Sequence, residues 1–211
     1  MVIIGDIHGC IKSLKKLLSI IPKDREIYSV GDLIDRGPDP KSVVSLCRDQ
    51  GIRPVMGNHE HLLLDYLDGS SLYGPGVFMA NGGQSTLLSY GHKISGDHLD
   101  FFSTLPLYIE TKYFFLSHAG IHPSMTIEKA CDVNKRNALN ILWNRGRLAN
   151  FRKPQVIQVI GHSPVTKPLK YRSNDETYGI NIDTGCVYPA MGKLTAISFP
   201  ERQIYQVACE D

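Results

Sequence analysis

Short apolar runs alternate with stretches of helical periodicity over the first 68 residues, and few folds accommodate this pattern. Each apolar run is at most five residues long, and each following stretch places apolar residues three to four positions apart. The predicted elements, in β-α-β-α-β-α order, are Val2–Ile4, Ile11–Ile20, Glu26–Val30, Pro40–Arg48, Arg53–Met56 and Glu60–Leu67. Asp39 is placed to cap the second helix, with Pro40 at its first position. Such alternation predicts an α/β fold in which right-handed crossovers join parallel strands.

The rest of the chain has a looser pattern. Turns are predicted at residues 74–76 and 81–83, where Gly, Pro and Asn cluster. Helices are predicted at Ser85–Tyr90, His98–Thr104 and Val133–Leu142. Strands are predicted at Leu107–Glu110, Tyr113–Ser117, Val156–Ile160, Gly179–Asp183, Leu194–Phe199 and Ile204–Val207. The sequence contains no repeat, linker or low-complexity segment, so we expect residues 1–211 to form a single domain.

The cysteines and the charge balance exclude several classes of protein. The five cysteines are scattered and odd in number, which is typical of reduced thiols rather than of a disulfide framework. Lys and Arg number 23 against 21 Asp and Glu, so bulk charge gives no reason to expect nucleic-acid or membrane binding. No apolar run reaches membrane-spanning length, and the N-terminus does not resemble a signal peptide. We therefore expect a cytoplasmic protein.

Polar residues follow five of the predicted strands at the point where each strand ends. The loops contain Gly-Asp-Ile-His-Gly at 5–9, Gly-Asp-Leu-Ile-Asp-Arg-Gly-Pro at 31–38, Gly-Asn-His-Glu at 57–60, Ser-His-Ala-Gly at 117–120 and Gly-His-Ser-Pro at 161–164. Ligands of open α/β sheets bind outside the carboxyl ends of the strands. We therefore expect six side chains to converge there: Asp6, His8, Asp32, Asn58, His118 and His162.

These six side chains offer carboxylate, amide and imidazole donors but no thiolate. They are too many for one tetrahedral site and suit two ions about 3.5–4 Å apart that share a bridging carboxylate. The donor types favour Mn²⁺, Fe²⁺ or Zn²⁺, and we expect two divalent ions, with Mn²⁺ first among them. Such a pair lowers the pKa of bound water from about 15.7 towards roughly 7 and screens the charge of a phosphate, which predicts phosphoester hydrolysis.

Other residues of the same loops fit that reaction. The planar guanidinium of Arg36 matches phosphate oxygens. His59 could protonate the leaving oxygen, and Asp35 could orient its imidazole and raise its pKa. Arg145 is a candidate second phosphate clamp, with Arg147 as a close competitor.

Together these motifs resemble those of the calcineurin-like metallophosphoesterases, and within them the small bacterial and bacteriophage-type members of the phosphoprotein phosphatase family. The resemblance rests on five segments in order between residues 5 and 164, with Asp-Arg-Gly and Gly-Asn-His-Glu intact. It implies a β-sandwich flanked by helices, built on β-α-β-α-β units. Two sheets are therefore expected instead of a single parallel sheet.

The resemblance also implies a role for each site residue. The implied metal ligands are Asp6 and His8 for the first ion, Asp32 as the bridge, and Asn58, His118 and His162 for the second ion. His59 and Asp35 would form the acid pair, and Arg36 would bind phosphate. The family's second active-site arginine maps to Arg145.

The expected activity is that of a metal-dependent phosphomonoesterase, a protein serine/threonine phosphatase acting on phosphoproteins or phosphopeptides. A hydroxide activated by two metals would attack phosphorus in line, with His59 as general acid. Pro164 stands where the diesterase branches of the family carry a second histidine, which counts against a diesterase. The chain is shorter than eukaryotic protein phosphatases, so no regulatory subunit is implied.

Two alternatives stay open. Symmetrical tetraphosphatases share all five motifs, so the same site would suit diadenosine tetraphosphate or a nucleotide-capped RNA 5′ end. Their chains are generally longer, and a length of 211 residues favours the phosphatase. The third hypothesis, an inactive scaffold, is disfavoured because every expected ligand and the acid histidine are present.

Overall fold

The computed structural model describes residues 1–69, 72–151, 156–189 and 192–211. Its strands are β1 Val2–Ile4, β2 Ile27–Ser29, β3 Arg53–Pro54, β4 Tyr108–Glu110, β5 Phe114–Ser117, β6 Ile157–Ile160, β7 Leu169–Ser173, β8 Glu176–Asn181, β9 Lys193–Ser198 and β10 Ile204–Ala208. Its helices are α1 Ile11–Ile20, α2 Pro40–Asp49, α3 Asn58–Asp68, α4 Pro75–Ala80, α5 Gly83–Ser89, α6 Gly96–Ser103 and α7 Ile127–Ala130.

The strands form two mixed sheets. The first has the order β10-β9-β1-β2-β3, in which β1, β2 and β3 run parallel and β9 pairs antiparallel with β1. The second has the order β4-β5-β6-β8-β7, with β5, β6 and β8 parallel and an antiparallel strand at each edge. The parallel β1–β3 unit is the one that the alternating pattern predicts.

An apolar layer lies between the two sheets. Ile3 of β1 packs there with Val30 from the end of β2, together with Phe114 of β5 and Val159 of β6. Successive side chains of a strand point to opposite faces. Val2 and Ile4 accordingly belong to a second apolar cluster, with Leu14 and Leu17 of α1. The sandwich flanked by helices that the family resemblance implies is confirmed.

The first three helices lie where their periodicity places them. In α2 the carboxylate of Asp39 accepts a hydrogen bond from the backbone N–H of Ser42 at 3.1 Å, as the capping pattern predicts. Helix α3 begins at Asn58, two residues before the predicted start. This earlier start puts Asn58 and His59 in the first turn of a helix.

Three predictions in the later half are wrong or incomplete. The turn predicted at 74–76 is the start of α4, with Gly74 before it and Pro75 at the first helical position. The helix predicted at Val133–Leu142 is a series of turns. Asn137 and Asn140 accept hydrogen bonds from backbone N–H groups two residues ahead, which compete with helix formation. Strand β7 escaped prediction because most of its residues are exposed, so no alternation marks it.

The two sheets place the carboxyl ends of their parallel strands at one edge of the sandwich. There the backbone N–H groups of Ile7 and His8 donate to the carbonyl oxygen of Asp32, which joins the loops after β1 and β2. The backbone N–H of Gly161 donates to the carbonyl oxygen of His118, which joins the loops after β5 and β6. No helix in the described part of the chain is long and apolar enough to cross a membrane.

Candidate metal centre

The structure brings the six predicted metal ligands to this edge of the sandwich and buries all of them: Asp6, His8, Asp32, Asn58, His118 and His162. Asp6, His8 and Asp32 lie in loops of the first sheet, and Asn58 begins α3 after β3 of that sheet. His118 and His162 follow β5 and β6 of the second sheet. The site therefore straddles the two sheets.

Three donor atoms of Asn58, His118 and His162 form a close triangle. Asn58 Oδ1 lies 2.8 Å from His118 Nε2 and 2.9 Å from His162 Nδ1, and the two imidazole nitrogens are 3.2 Å apart. Metal bonds of about 2.1 Å place neighbouring donors at right angles about 3 Å apart. His118 Nδ1 donates to the carbonyl oxygen of Val30, so its Nε2 presents a lone pair to the triangle. These three residues fit the coordination of one ion.

Asp32 faces both halves of the site. Its Oδ1 lies 3.5 Å from His118 Nε2, and its Oδ2 lies 3.5 Å from His8 Nε2. Burial alone would raise the pKa of Asp32, but the surrounding imidazoles of His118, His59 and His8 outweigh it and hold that pKa below its usual value. An ionised carboxylate with one oxygen towards each group is the arrangement that a bridging ligand needs.

The other half of the site has a different environment. His8 Nδ1 donates to the carbonyl oxygen of Ile34 at 2.8 Å, which leaves Nε2 to accept from Arg36 Nη1 at 2.7 Å. Asp6 accepts the backbone N–H of His162, at 3.0 Å from its Oδ2. In the described part of the chain, the close donor groups are His8–Asp32–His59 and Asp32–His118–His162, so Asp6 lies beside these groups rather than within one.

The charges of the buried groups favour a cation. Burial, and the carboxylates of Asp183 and Asp32, raise the pKa of Asp6 well above its usual value. Burial and neighbouring positive groups lower the pKa values of His8, His118 and His162, which favours the uncharged imidazoles that metal binding requires. Carboxylates that repel one another beside neutral imidazoles match the donor set of divalent transition-metal ions.

His59 and Asp35 form a buried pair, as the sequence predicts. His59 Nδ1 lies 2.6 Å from Asp35 Oδ2, while His59 Nε2 has no hydrogen-bond partner among the described residues. Burial opposes a charged imidazole, but Asp32 and Asp35 outweigh it and raise the pKa of His59. Thr86 holds the carboxylate of Asp35 by donating to its Oδ1 and accepting its backbone N–H. The pair therefore favours a protonated imidazole whose Nε2 lies beside Asp32.

The candidate phosphate-binding arginines lie on opposite sides of the site. Arg36 is half-buried and extends over the ring of Tyr188, 5.6 Å from its centroid. Its backbone packs against Gly82, whose φ of +97° and contact with Arg36 leave no room for a side chain. Arg145 is exposed, lies 3.3 Å from Ser163 Oγ, and its charge contributes to lowering the pKa of His162.

Several site residues have strained backbones. His8, Asp32, Asp35, Arg36 and His162 have φ between +46° and +68°, the left-handed region that residues other than glycine rarely adopt. Such conformations persist only where the surrounding structure enforces them, and they cluster at functional sites. Sequence patterns carry no signal for them.

Two buried acids of the site escaped the sequence analysis. Glu60 accepts three backbone N–H groups, from Asp32, Leu33 and Gly57, at 2.7–2.9 Å, and burial raises its pKa to about 7. The Gly57-to-Glu60 spacing is the signal for part of this role, because an acid at the third helical position can accept the backbone N–H of the residue before the helix, as in one half of a capping box. Asp183 follows β8 as the other site residues follow their strands, and burial raises its pKa to about 6.

Comparisons with known proteins agree with this geometry. The sequence profile of the calcineurin-like phosphoesterases matches residues 1–187. The chain is 31% identical to the asymmetrical bis(5'-nucleosyl)-tetraphosphatase PrpE of Oceanobacillus iheyensis, over 98% of this chain and 91% of that protein. It is also 31% identical to serine/threonine-protein phosphatase 1 of Salmonella typhimurium, over 92% of this chain and 88% of that protein.

Solved structures show the same fold. A chain provisionally assigned as a diadenosine tetraphosphatase superimposes with a TM-score of 0.70 and 26% identity, covering 98% of this chain and 92% of its own length. A metallophosphoesterase from Sphaerobacter thermophilus superimposes with a TM-score of 0.60 and 17% identity, covering 100% of this chain and 90% of its own length. The family resemblance drawn from the loop motifs is confirmed, and the chain belongs to the calcineurin-like phosphoesterases, which are phosphoric ester hydrolases.

Proposed function

We propose that this protein hydrolyses dinucleoside tetraphosphates at a centre of two divalent metal ions, with Mn²⁺ the first candidate. The proposed ligands are Asp6, His8, Asp32, Asn58, His118 and His162. When bound, the ions supply a nucleophile at neutral pH and screen the negative charge of the phosphates. We further propose that the chain acts as one catalytic domain in the cytoplasm, without a regulatory subunit.

A cleft beside the proposed metal centre is the feature that favours a dinucleotide substrate. It has a volume of about 620 Å³ and is lined by residues that include Tyr73, Leu139 and Trp143. The ring of Trp143 meets the ring of His162 edge-on, with centroids 5.9 Å apart, so the cleft begins where the proposed ligands end. Clefts of about 300–1,000 Å³ are the usual size for small-molecule sites.

The lining of the cleft suits a nucleotide. Tyr73 and Trp143 lie with ring centroids 5.5 Å apart, and the guanidinium of Arg136 lies 5.8 Å from the Tyr73 centroid. Stacking of a base on an aromatic side chain contributes about 1–3 kcal/mol. Arg145 lines the same cleft and provides a planar cation for phosphate oxygens next to the metal ligands. A phosphopeptide has no part that requires a base-sized aromatic cleft.

Chain length does not oppose this substrate. The sequence analysis favoured a phosphatase because the symmetrical tetraphosphatases are generally longer. However, the chain covers 91% of the asymmetrical tetraphosphatase relative from Oceanobacillus iheyensis. A chain of 211 residues is therefore close in extent to a protein named for this activity.

The chain's own residues would perform distinct tasks in the reaction. Arg36 and Arg145 would bind the non-bridging phosphate oxygens from opposite sides. His59 would donate its Nε2 proton to the leaving phosphate oxygen, and Asp35 would hold the imidazole in position through Nδ1. Glu60 would keep the loop of Asp32 in place through its three backbone hydrogen bonds.

A second candidate function is a protein serine/threonine phosphatase. The His59–Asp35 pair favours it, because the alkoxide that leaves phosphoserine is much more basic than a leaving nucleotide. Its departure therefore depends more strongly on protonation by a general acid. The 31% identity to the Salmonella typhimurium phosphatase supports it as well. Both candidates use the same metal ligands.

The test compares product release from diadenosine tetraphosphate and from a phosphothreonine peptide by the Mn²⁺-loaded protein. We expect a higher kcat/KM for the dinucleotide. The variant Tyr73→Leu should raise KM for the dinucleotide about tenfold, because a stacking surface of the cleft is lost. Turnover of p-nitrophenyl phosphate should stay unchanged, because Trp143, which packs against the proposed ligand His162, is kept. The matched control is Tyr171→Leu on β7. Preference for the peptide, or an unchanged KM in Tyr73→Leu, would reject the dinucleotide and favour the phosphatase.

A further inference from the structure

Three cysteines that are far apart in the sequence meet beneath the candidate metal centre. The sulfur atoms of Cys10, Cys186 and Cys209 all lie within 4.8 Å of one another. Cys10 and Cys186 are almost completely buried, and Cys209 is half-buried. No function has been assigned to them above, and they contribute nothing to the proposed hydrolysis.

Backbone contacts fix the positions of these cysteines. Cys10 precedes α1, and its thiol approaches the carbonyl oxygen of His8 at 3.5 Å. Cys209 follows β10, and its backbone N–H donates to the carbonyl oxygen of Gly192 at 2.6 Å. Next to it, the backbone N–H of Glu210 donates to Ser13 Oγ of α1 at 3.0 Å. The thiols are therefore held together by secondary structure on both sides.

The spacing of the sulfur atoms suits a soft metal ion. Bonds of about 2.3 Å from Zn²⁺ to sulfur place neighbouring sulfurs of a tetrahedral site about 3.8 Å apart, which lies within the observed limit. Thiolates select thiophilic ions over the hard ions that carboxylates bind. A hydrogen bond from Cys10 lowers the pKa of Cys186, whereas the same contact and burial raise the pKa of Cys10.

A route for the ion is also present. A cleft of about 210 Å³ is lined by Cys186, Cys209 and Asp211, among others. Asp211 is anchored to α1, where its carboxylate accepts the backbone N–H groups of Lys12 and Ser13 at 2.9 Å and the hydroxyl of Ser13 at 2.6 Å. These hydrogen bonds fix the end of the chain beside the cleft.

We propose that Cys10, Cys186 and Cys209 form a binding site for one thiophilic divalent ion of the Zn²⁺ type, separate from the candidate catalytic centre. The ion would join the start of α1 to the ends of β8 and β10. This proposal does not depend on which phosphate ester the enzyme hydrolyses.

Spectroscopy separates this site from the catalytic centre. The fully reduced, metal-free protein is titrated with Cd²⁺ or Co²⁺, and the thiolate-to-metal charge-transfer absorption is followed. The candidate catalytic centre has no thiolate and gives no such band. We expect the amplitude of the band at saturation to correspond to one thiolate-bound ion per chain, in addition to any ions bound by the catalytic centre. The variants Cys209→Ser and Cys186→Ser should lose most of it, whereas Cys131→Ser should keep it, since Cys131 is not part of the group.

Two further measurements test the folding of the variants and the protection of the thiols. Circular dichroism and thermal melting of Cys209→Ser, with Cys209→Ala as a second variant, verify that loss of the band is not loss of the fold. Zn²⁺ should also protect Cys209, the half-buried thiol of the group, from a thiol-reactive dye, whereas the half-buried Cys131 should stay reactive. The absence of a charge-transfer band in reduced wild-type protein, or its retention in both Cys209 variants, would overturn the proposal.

Discussion

His59 lies between two buried carboxylates, with Nδ1 2.6 Å from Asp35 Oδ2 and Nε2 3.8 Å from Asp32 Oδ2. The shorter contact fixes the orientation of the ring. The longer one leaves Nε2 free to hold a proton next to the carboxylate that faces both groups of metal donors. One imidazole therefore connects an orienting acid to the proposed metal centre.

Replacing the imidazole should affect proton donation but not metal binding. For His59→Asn of the Mn²⁺-loaded protein we expect kcat to fall about 10²–10³-fold with a phosphoserine peptide, because its leaving alkoxide needs the proton. With p-nitrophenyl phosphate, whose leaving group is a weak base, the loss should be much smaller. Steady-state kinetics and elemental analysis give both quantities. Equal losses on the two substrates would contradict a role as general acid.

The same pair should make part of the stability depend on pH. The pKa of His59 is higher in the folded state than in the unfolded state, where it is about 6.5. The protonated pair therefore contributes fully to the free energy of unfolding below about pH 6.5, and this contribution is lost as the pH rises through the folded-state pKa. We expect metal-free His59→Asn to be less stable than the wild type at about pH 6, and the gap to narrow at about pH 9. Denaturant unfolding at both pH values measures it. A gap that widens with pH would refute the assignment.

Asp32 should govern metal content. In Asp32→Asn one oxygen becomes an amide nitrogen that cannot coordinate, so the two groups of donors lose their shared ligand. We expect metal content per chain to fall well below that of the wild type in elemental analysis after dialysis. Asp175→Asn, in the β7–β8 turn, is the matched control. Full occupancy in Asp32→Asn would show that the carboxylate does not bridge.

Glu60 should support the loop of Asp32 through its hydrogen bonds. In Glu60→Gln an amide N–H₂ would face at least one of the backbone N–H groups of Asp32, Leu33 and Gly57. An unsatisfied buried donor costs about 1–3 kcal/mol, so we expect the free energy of unfolding to fall by about that amount. The exposed Glu26→Gln is the control. Equal stability of the two variants would argue against a supporting role.

Arg145 and Arg147 should differ in their effect on substrate binding. Only Arg145 of the two lines the aromatic cleft and contacts Ser163 among the interactions described above. We expect Arg145→Ala to lower kcat/KM about tenfold, since a charged hydrogen bond to phosphate is lost. Arg147→Ala should retain activity. The reverse order in steady-state assays would assign the second clamp to Arg147.

The sequence predicts which side chains meet at this edge because strand ends are easy to recognise. Each expected ligand follows a short apolar run, and parallel strands bring such ends to one edge. The same reasoning, extended to the end of β8, includes Asp183. The spacing of Gly57 and Glu60 predicts the hydrogen bond to Gly57, but a single sequence does not reveal that the carboxylate also reaches the loop of Asp32.

Other features depend on tertiary structure and could not be predicted. The positive φ values of His8 and Asp32 arise from the way neighbouring loops enclose them. The apolar spacing within Val133–Leu142 suggested a helix, but side-chain hydrogen bonds from Asn137 and Asn140 stabilise turns instead. The cleft lined by Tyr73 and Trp143 joins segments about 70 residues apart, which no local pattern connects.

The division of ligands between the two sheets has a mechanical consequence. Asp32 follows β2 and Asn58 begins α3 after β3 of the first sheet, whereas His118 and His162 follow strands of the second. Bound ions would therefore link the two sheets and resist sliding of one sheet over the other. Removing them should accelerate amide hydrogen exchange along β5 and β6 while the outward-facing helices α1 and α2 keep their protection.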